Sequence, residues 1–195
     1  MVYIPLTTEL PALHCKPSHT GLLFNKDIPQ GNLAIRSLNM KEDLDTLYKW
    51  VNQDYAKKFW QMDGSREVLS TTYSMVIESL HAHSFMVLLD GRPVGQVDCY
   101  QVLSDELKNH VEANPEDCGI HILMLPPKHS ARGLALEALK GFVEFYFSFS
   151  LSKKLYGEPD KDNLLANLLA RKVGFQYLKE VTLSYKTANL YLITR

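Results

Sequence analysis

Hydrophobic and polar residues recur along the chain with two different periods, and the changes between them outline the predicted elements. The segment LAIRSL, beginning at Leu33, alternates as a strand does, and KEDLDTLYKWVNQ behind it has apolar side chains at helical spacing. A second helix is predicted from Ser65 to Leu80, because Ser65 suits an N-cap and the apolar side chains behind it share one face. The runs SFMVLLD and PVGQVDCYQVL then flank Asp90 and Gly91, which predicts a hairpin of two antiparallel strands.

The second half of the chain continues the alternation of strands and helices. The nearly continuous apolar run CGIHILML is typical of a central strand covered on both faces. Behind it the spacing predicts a long helix from Gly133 to Phe149, the strand KLYGE, the helix NLLANLLARK with Gly174 at its C-cap, and two closing strands. The predicted order is β-α-α-β-β-β-α-β-α-β-β, which is a mixed α/β domain.

The first 32 residues have a different pattern from the rest of the chain. Four prolines separate short apolar patches there, which indicates irregular chain or an edge strand. We therefore predict an N-terminal extension over residues 1–32 that packs on a main domain over residues 33–195. A chain of 195 residues, 46% hydrophobic and 22% charged, suits one globular domain of this kind.

Charge, cysteine content and hydropathy narrow the possible partners and locations. A net charge of -1 and a pI near 6.6 lack the basic excess that a nucleic-acid partner requires, so none is expected. Three scattered cysteines indicate neither a disulfide framework nor a zinc site and fit a reducing cytoplasm. His81 and His83 have no third ligand nearby in the sequence, so no metal is predicted. Neither a signal-peptide pattern nor a long apolar run is present, so we expect a cytoplasmic protein that binds no membrane.

The turn between the apolar strand and the long helix has the composition of an anion site. Lys128 and Arg132 supply positive charge, and Gly133 and Ala135 let the backbone approach a phosphate closely. The first amides of a helix lack intrahelical partners, and the helix dipole favours negative charge at this end. The turn suits the pyrophosphate of coenzyme A, although taken alone an ordinary helix N-terminus with solvated basic residues is the better interpretation.

Several segments together resemble the GCN5-related N-acetyltransferase (GNAT) superfamily. Residues 130–135, SARGLA, are similar to its acyl-CoA loop, with serine where glutamine or arginine is usual. Residues 163–166, NLLA, and 172–175, KVGF, match the helix and strand that follow in the family. The motifs FWQMDGS, DGRPVGQVDCY, GIH, GEPDKDN and YKTANL resemble its siderophore-biosynthesis branch, which includes hydroxylysine acetyltransferases of aerobactin-type pathways and mycobactin lysine acyltransferases. These motifs span residues 33 to about 192.

The resemblance implies a fold, an activity and a co-substrate. It implies a GNAT fold, with a mixed central sheet, a splayed pair of parallel strands and helices on both faces. The implied activity is direct transfer of an acyl group from acetyl-CoA or another acyl-CoA, with acetyl as the expected group. The implied acceptor is the hydroxylamine or amine of a lysine-, ornithine- or diamine-derived siderophore precursor. The implied cofactor contacts are the strand amides of Leu123 and Leu125, together with Lys128, Arg132, Gly133, Leu134, Ala135 and Asn163. Where the family often has a tyrosine as the acid for the departing thiolate, this chain has Ala170.

His121 and Asp160 are the candidate catalytic residues. His121 lies in an apolar run, so it is either a satisfied core histidine or points into a cleft with a partner, and the resemblance makes the GIH histidine the base. Asp160 follows the strand KLYGE, and neighbouring parallel strands end at one crevice, so the two side chains are predicted to meet there. Asp160 would then orient His121 or bind the acceptor amine. The alternative is a helix N-cap, which Asp162 fits at least as well.

Two segments are candidates for the acceptor wall. Trp60, Gln61 and Asp63 lie between two predicted helices, where the fold builds that wall, although a tryptophan alone is more often a core residue. Gln96 and Tyr100, four residues apart on one strand, share a face. They either add polar contacts to the acceptor or belong to the solvated face of a half-buried strand.

Two rival functions stay open at this stage. One is an aminoglycoside-type N-acetyltransferase, which shares the fold. It ranks second because the GIH motif favours the siderophore branch. The other is a non-catalytic acyl-CoA sensor that has lost the acid at Ala170. The acceptor is a small molecule in either enzymatic case, and the pattern is compatible with a monomer or a homodimer.

Overall fold

The computed structural model describes residues 21–125 and 132–195 of the chain. Lys128, the predicted cofactor contact, lies outside the described residues, as do the first two positions of the predicted acyl-CoA loop and most of the predicted N-terminal extension.

Eight strands and five α-helices form the described part of the chain. The strands are β1 (Phe24–Ile28), β2 (Gly31–Ser37), β3 (Ala82–Leu89), β4 (Arg92–Gln101), β5 (Cys118–Met124), β6 (Lys154–Gly157), β7 (Gln176–Leu183) and β8 (Lys186–Thr194). The helices are α1 (Met40–Val51), α2 (Asp54–Trp60), α3 (Arg66–Glu78), α4 (Leu134–Phe147) and α5 (Leu164–Val173), and two short 3-10 helices, Val102–Ser104 and Glu106–Asn109, follow β4.

The strands form one mixed sheet in the order β1-β2-β3-β4-β5-β6-β8-β7. Among these described strands, β5 and β6 are the parallel neighbours, and the other pairs are antiparallel. The pairing of β5 with β6 ends at Ile120 and Gly157, yet β5 continues to Met124. The two parallel strands therefore part at their carboxyl ends, which confirms the predicted splayed pair.

Helices cover both faces of the sheet, as predicted. On one face, α4 packs Phe142, Phe145 and other apolar side chains against Phe85 of β3. On the other face, the layer of α1, α2 and α3 packs side chains such as Leu47 and Tyr73 against the same central strands. Each fully buried aliphatic or aromatic side chain contributes about 1.5–3 kcal/mol, so these two layers hold the sheet rigid beneath the site.

The structure departs from the prediction at two elements, α2 and the start of the long helix, and at a third it gives an edge strand, which is one of the two alternatives predicted for residues 1–32. The chain between the first two predicted helices contains α2, a seven-residue helix, which is too short for hydrophobic periodicity to reveal. The end of the predicted extension contains β1, which pairs with β2 as an edge strand of the same sheet. The long helix starts one residue later than predicted, because Gly133 is its N-cap with a left-handed φ of 82°.

Candidate functional site

A cleft of about 870 Å³ opens where β5 and β6 part. One side, which we call the strand half, is lined from α2 and the central strands by residues that include Tyr55, Trp60, Asp98, His121, Glu158 and Lys186. The other side, the helix half, is lined from the starts and facing sides of α4 and α5 by residues that include Arg132, Gly133, Ala135, Asn163 and Lys172.

A histidine and a buried carboxylate form an ion pair at the centre of the strand half. Ile120 lies opposite Gly157 in the parallel pairing, so the next residues, His121 and Glu158, fall side by side. His121 Nε2 is hydrogen-bonded to Glu158 Oε1, and Lys186 Nζ lies 3.6 Å from the same oxygen. The register of the two strands therefore creates the pair.

The electrostatics of the pair keep Glu158 ionised and favour a charged His121. Burial pushes the pKa of Glu158 upward, but His121 and Lys186 outweigh burial and lower it to about 2. Burial likewise opposes protonation of His121, and Glu158 outweighs it, so the pKa of His121 is raised above 6.5. Glu158 engages Nε2, which leaves Nδ1 to accept a proton, so the pair has the parts of a general base and its orienting carboxylate.

The structure corrects the predicted pairing of His121 with Asp160. Asp160 lines the cleft, but its Oδ1 accepts a hydrogen bond from the backbone amide of Asp162 at 2.8 Å. Glu158, two residues earlier, occupies the position beside His121. The sequence EPD offers two acids, and only the register of β5 against β6 decides between them.

The N-cap of α5 is neither Asp160 nor Asp162. Asn163 caps this helix, with its Oδ1 accepting from the amide of Ala166 at 3.2 Å. The asparagine predicted to contact the cofactor therefore has a structural role as well, and it still lines the helix half of the cleft.

The predicted amide contacts of Leu123 and Leu125 need a similar correction. The amide of Leu125 donates to the carbonyl of Val94 at 2.8 Å, so it faces β4. Peptide groups alternate in direction along a strand, and Leu123, paired with Gln96 of β4, faces the same way. Both side chains line the cleft, but both amides belong to the sheet.

The backbone groups that face the gap between β5 and β6 come from the alternate residues. Beyond Ile120, where the pairing with β6 ends, these are Ile122 and Met124. The carbonyl of Met124 accepts a hydrogen bond from the Tyr55 hydroxyl at 2.8 Å. A shift of one residue in a strand reverses the direction of every peptide group, which is why the sequence pattern pointed to the wrong pair.

The helix half presents the N-terminus of α4 to the cleft. Glu137 makes the first hydrogen bond of the helix, from its amide to the Gly133 carbonyl at 3.1 Å, so the amides of Leu134 and Ala135 precede the helical ladder. The Arg132 side chain is exposed, and its carbonyl accepts from Gln30 Nε2 at 3.0 Å. This half can bind an anion with backbone amides and one exposed guanidinium.

The candidates for the acceptor wall from α2 separate into two groups. Trp60 lines the cleft, and its ring meets the His121 ring edge-on at a centroid distance of 6.3 Å. Gln61 is the C-cap of α2, and both it and Asp63 are exposed and lie outside the cleft lining. The loop therefore brings one of its three predicted residues to the site.

Gln96 and Tyr100 lie beneath the cleft. Gln96 is fully buried, so the solvated-face interpretation is wrong for it, and its amide donates to Asp98. The Tyr100 ring packs against His121 with a centroid distance of 5.1 Å and covers Gly119, where an added Cβ would overlap the ring. Both residues support the site from below.

The sequence reasoning missed Glu158 and Asp98. Asp98 lies between Gln96 and Tyr100 on the same face of β4, and it is the residue of β4 paired with His121. Asp98 is two residues from both Gln96 and Tyr100, and this spacing on a strand could have predicted that it shares their face.

The described residues have no helix long and apolar enough to cross a membrane. Within the same two ranges, no three His, Cys, Asp or Glu side chains are grouped so that they could hold a metal ion. His81 bonds to Gln101, and His83 lies 3.1 Å from the Ser37 hydroxyl.

Comparisons with known proteins identify the family to which the chain belongs. Residues 39–183 match the family model of the acetyltransferase (GNAT) domain. An N-hydroxyputrescine acetyltransferase of Acinetobacter baumannii is 26% identical over 83% of this chain and 77% of its own length. An N(6)-hydroxylysine O-acetyltransferase of Escherichia coli is 23% identical over 84% of this chain, which spans 52% of that relative's length.

A solved structure of the aminoglycoside acetyltransferase AAC(6')-Ib in complex with coenzyme A superimposes with a TM-score of 0.75. It covers 84% of this chain and 95% of its own at 24% identity, which shows that the fold is shared. Because the family model covers most of the sequence and the fold agrees with it, the chain belongs to the GNAT family of acetyl-CoA-dependent acetyltransferases and resembles its siderophore-biosynthesis branch.

Proposed function

We propose that this acetyltransferase acylates the hydroxylamine nitrogen of a lysine-, ornithine- or diamine-derived siderophore precursor. The reaction takes place in the cytoplasm, and acetyl-CoA is the preferred acyl donor. The observation that carries the proposal is the His121–Glu158 pair, set in the strand half of the cleft at the point where β5 and β6 part. The names of the two relatives, one for N-hydroxyputrescine and one for N(6)-hydroxylysine, support this class of acceptor.

The helix half fits acyl-CoA. The amides of Leu134 and Ala135 and the Arg132 guanidinium suit the pyrophosphate. In the gap between the strands, the amides of Ile122 and Met124 are placed to bond the pantetheine arm, and one of them to polarise the thioester carbonyl. Lys128 remains a predicted contact.

The strand half fits the acceptor and the proton transfers. The acceptor nitrogen attacks the thioester carbon, and Nδ1 of His121 takes the proton that this nitrogen loses as the amide bond forms. Glu158 holds the ring and stabilises its charged form. The thiolate leaves beside Ala170, which has no acidic group, so His121 returns the proton to it. One imidazole then serves both transfers.

The acceptor class follows from the protonation state that attack requires. A hydroxylamine nitrogen is far less basic than an alkylamine and is already uncharged at neutral pH, so a mild base is sufficient. An alkylamine is mostly protonated at neutral pH and must lose a proton before it attacks. Because Glu158 raises the pKa of His121, a smaller fraction of the imidazole is unprotonated and able to take that proton.

The test compares hydroxylated acceptors with their parents. N-hydroxylated lysine, ornithine and putrescine, each beside its unhydroxylated parent, are assayed with acetyl-CoA at pH 7 by the release of free thiol. We expect at least a roughly tenfold higher kcat/KM for the hydroxylated member, which corresponds to about 1.4 kcal/mol. Kanamycin-type aminoglycosides that outperform every hydroxylamine would replace this proposal with a drug-modifying one.

A further inference from the structure

Asp98 is a second carboxylate in the strand half, and the chemistry proposed above does not use it. It lines the cleft and lies next to His121 across the β4–β5 pairing. Ser84 Oγ and Gln96 Nε2 both donate to its Oδ1. Both hydrogen bonds fall on one oxygen, so the carboxylate is fixed in place while Oδ2 keeps its lone pairs for a further donor.

Polar groups around Asp98 are also short of partners. Among the described residues, Gln96 Oε1, the Trp60 indole nitrogen and the Tyr73 hydroxyl are buried and make no hydrogen bond of good geometry. Gln96 and Tyr73 are fully buried, and Trp60 lines the cleft. Burial, followed by the charge of Asp98, raises the pKa of Tyr73, so the phenol stays neutral beside the carboxylate. The Trp60 nitrogen and the Tyr73 hydroxyl interact with each other, so Gln96 Oε1 is the least satisfied of the three, and it belongs to the side chain that holds Asp98 in place.

The position of Asp98 relative to His121 selects the ligand group. When the acceptor nitrogen lies at His121, an atom one bond further along can reach the neighbouring side chain on the same face, which is Asp98. In a hydroxylamine that atom is the hydroxyl oxygen, whose hydrogen a buried carboxylate binds strongly. An unhydroxylated amine has nothing to offer there and leaves the desolvated carboxylate unpaired.

Resting on the hydroxylamine acceptor proposed above, we propose that Asp98 binds the N-hydroxyl group of the acceptor and that this contact selects hydroxylamines over amines. An ammonium is the competing occupant, because it would also be attracted to a carboxylate. Lys186 argues against it, since this largely buried ammonium already opposes the protonation of His121 and would likewise oppose an acceptor ammonium beside His121.

Asp98→Asn is the sharpest variant, because the neighbours of Asp98 orient the substitute. Ser84 and Gln96 both donate, so they hold the asparagine carbonyl toward themselves and turn its amide group to the cleft, where it cannot accept a hydrogen bond. For N-hydroxyputrescine and N6-hydroxylysine, we expect kcat/KM to fall about 10- to 100-fold, the usual value of a hydrogen bond to a charged group. For putrescine and lysine it changes less than about threefold, so the preference for hydroxylamines shrinks by roughly the factor lost on the hydroxylamines, toward what the protonation state of the nitrogen alone supplies.

The matched control is Asp117→Asn. Asp117 is a buried carboxylate that pairs with Lys154 at 3.5 Å and does not line the cleft. Its variant should keep the wild-type preference, with the melting temperature showing that both proteins are folded. Ser84→Ala removes one support of the carboxylate, so a smaller loss of preference is expected, and it preserves the test if Asp98→Asn does not fold.

The outcomes separate this inference from the proposed function. If wild type shows no preference for hydroxylamines, the proposed function fails and this inference fails with it. If wild type shows the preference and Asp98→Asn retains it undiminished, only the role of Asp98 is overturned. Equal losses on both acceptors would show that Asp98 acts through His121, and a larger loss on the amines would show that it binds an ammonium. Either result contradicts the inference.

Discussion

The two halves of the cleft prepare for their ligands by different physical means. The strand half uses side chains whose charges depend on one another: the buried Glu158, the largely buried Lys186 and the half-buried His121. The helix half uses backbone amides at the start of α4 and an exposed guanidinium, Arg132. A network around a buried carboxylate fixes protonation states and would so control the chemical step, whereas a helix N-terminus attracts an anion mainly through its backbone amides, to which a side chain such as Arg132 adds. Substitutions in the two halves should therefore change different kinetic constants.

The largest expected effect is that of His121→Ala. Loss of a positioned general base should lower kcat by about 100-fold or more, while the affinity for acetyl-CoA, which we propose binds through the helix half, stays nearly unchanged. Steady-state kinetics and calorimetric titration of CoA measure the two quantities. His81→Ala is the control, because His81 is an exposed histidine bonded to Gln101 outside the cleft lining. Near-normal turnover by folded His121→Ala would reduce His121 to a packing residue.

Glu158→Gln should have a smaller effect on rate and a clear effect on pH dependence. Activity rises with pH as His121 loses its proton, and the charge of Glu158 raises the pKa of His121. Removing that charge lowers this pKa, so the rising limb of kcat/KM against pH moves to lower pH. The other charged groups facing His121, Asp98 and Lys186, are unchanged in this variant.

At the plateau of the same profile we expect a loss of about tenfold or more, because the ring is less well oriented. A limb that stays in place, or moves to higher pH, would mean that Glu158 does not govern the protonation of His121. The proposed difference between the two halves, in which the charges of the strand half control protonation, would then be contradicted.

The smallest effect is expected at the exposed end of the cleft. Arg132→Glu places negative charge where we propose that the pyrophosphate binds, and it should raise KM for acetyl-CoA about tenfold while leaving KM for the acceptor nearly unchanged. Arg66→Glu is the matched control, since Arg66 is an exposed arginine paired with Asp45 outside the cleft lining. Equal changes in both constants would show that the cofactor is not held at this turn.

Much of the fold could be predicted because local chemistry decides it. Ser65 caps α3 through the amide of Val68 at 3.2 Å, and Gly174 ends α5 with a left-handed φ of 113°. Asp90 and Gly91 form the predicted hairpin turn with positive φ values. In each case the residue type and its neighbours suffice. The helix α2 was not predicted, because seven residues are too few to show a helical hydrophobic period.

The site was less predictable because its details depend on pairing between distant strands. His121 was expected in a cleft and lies in one, but the choice of Glu158 over Asp160 depends on which residue of β6 faces Ile120. The direction of the Leu123 and Leu125 amides likewise depends on the register with β4. A sequence shows which residues alternate, but not which alternating set faces a given neighbour.

The contact between Tyr100 and Gly119 also limits how this sequence can diverge. A side chain at position 119 would occupy the space of the Tyr100 ring, which in turn supports His121. A lineage can therefore acquire a larger residue at 119 only after position 100 has become smaller, and the reverse order passes through an intermediate with a displaced base. Gly157 on the facing strand is under no such constraint, since a Cβ there would meet Phe175 at an ordinary 3.8 Å. Substitutions at 119 and 100 should be accepted in a fixed order, while position 157 can drift alone.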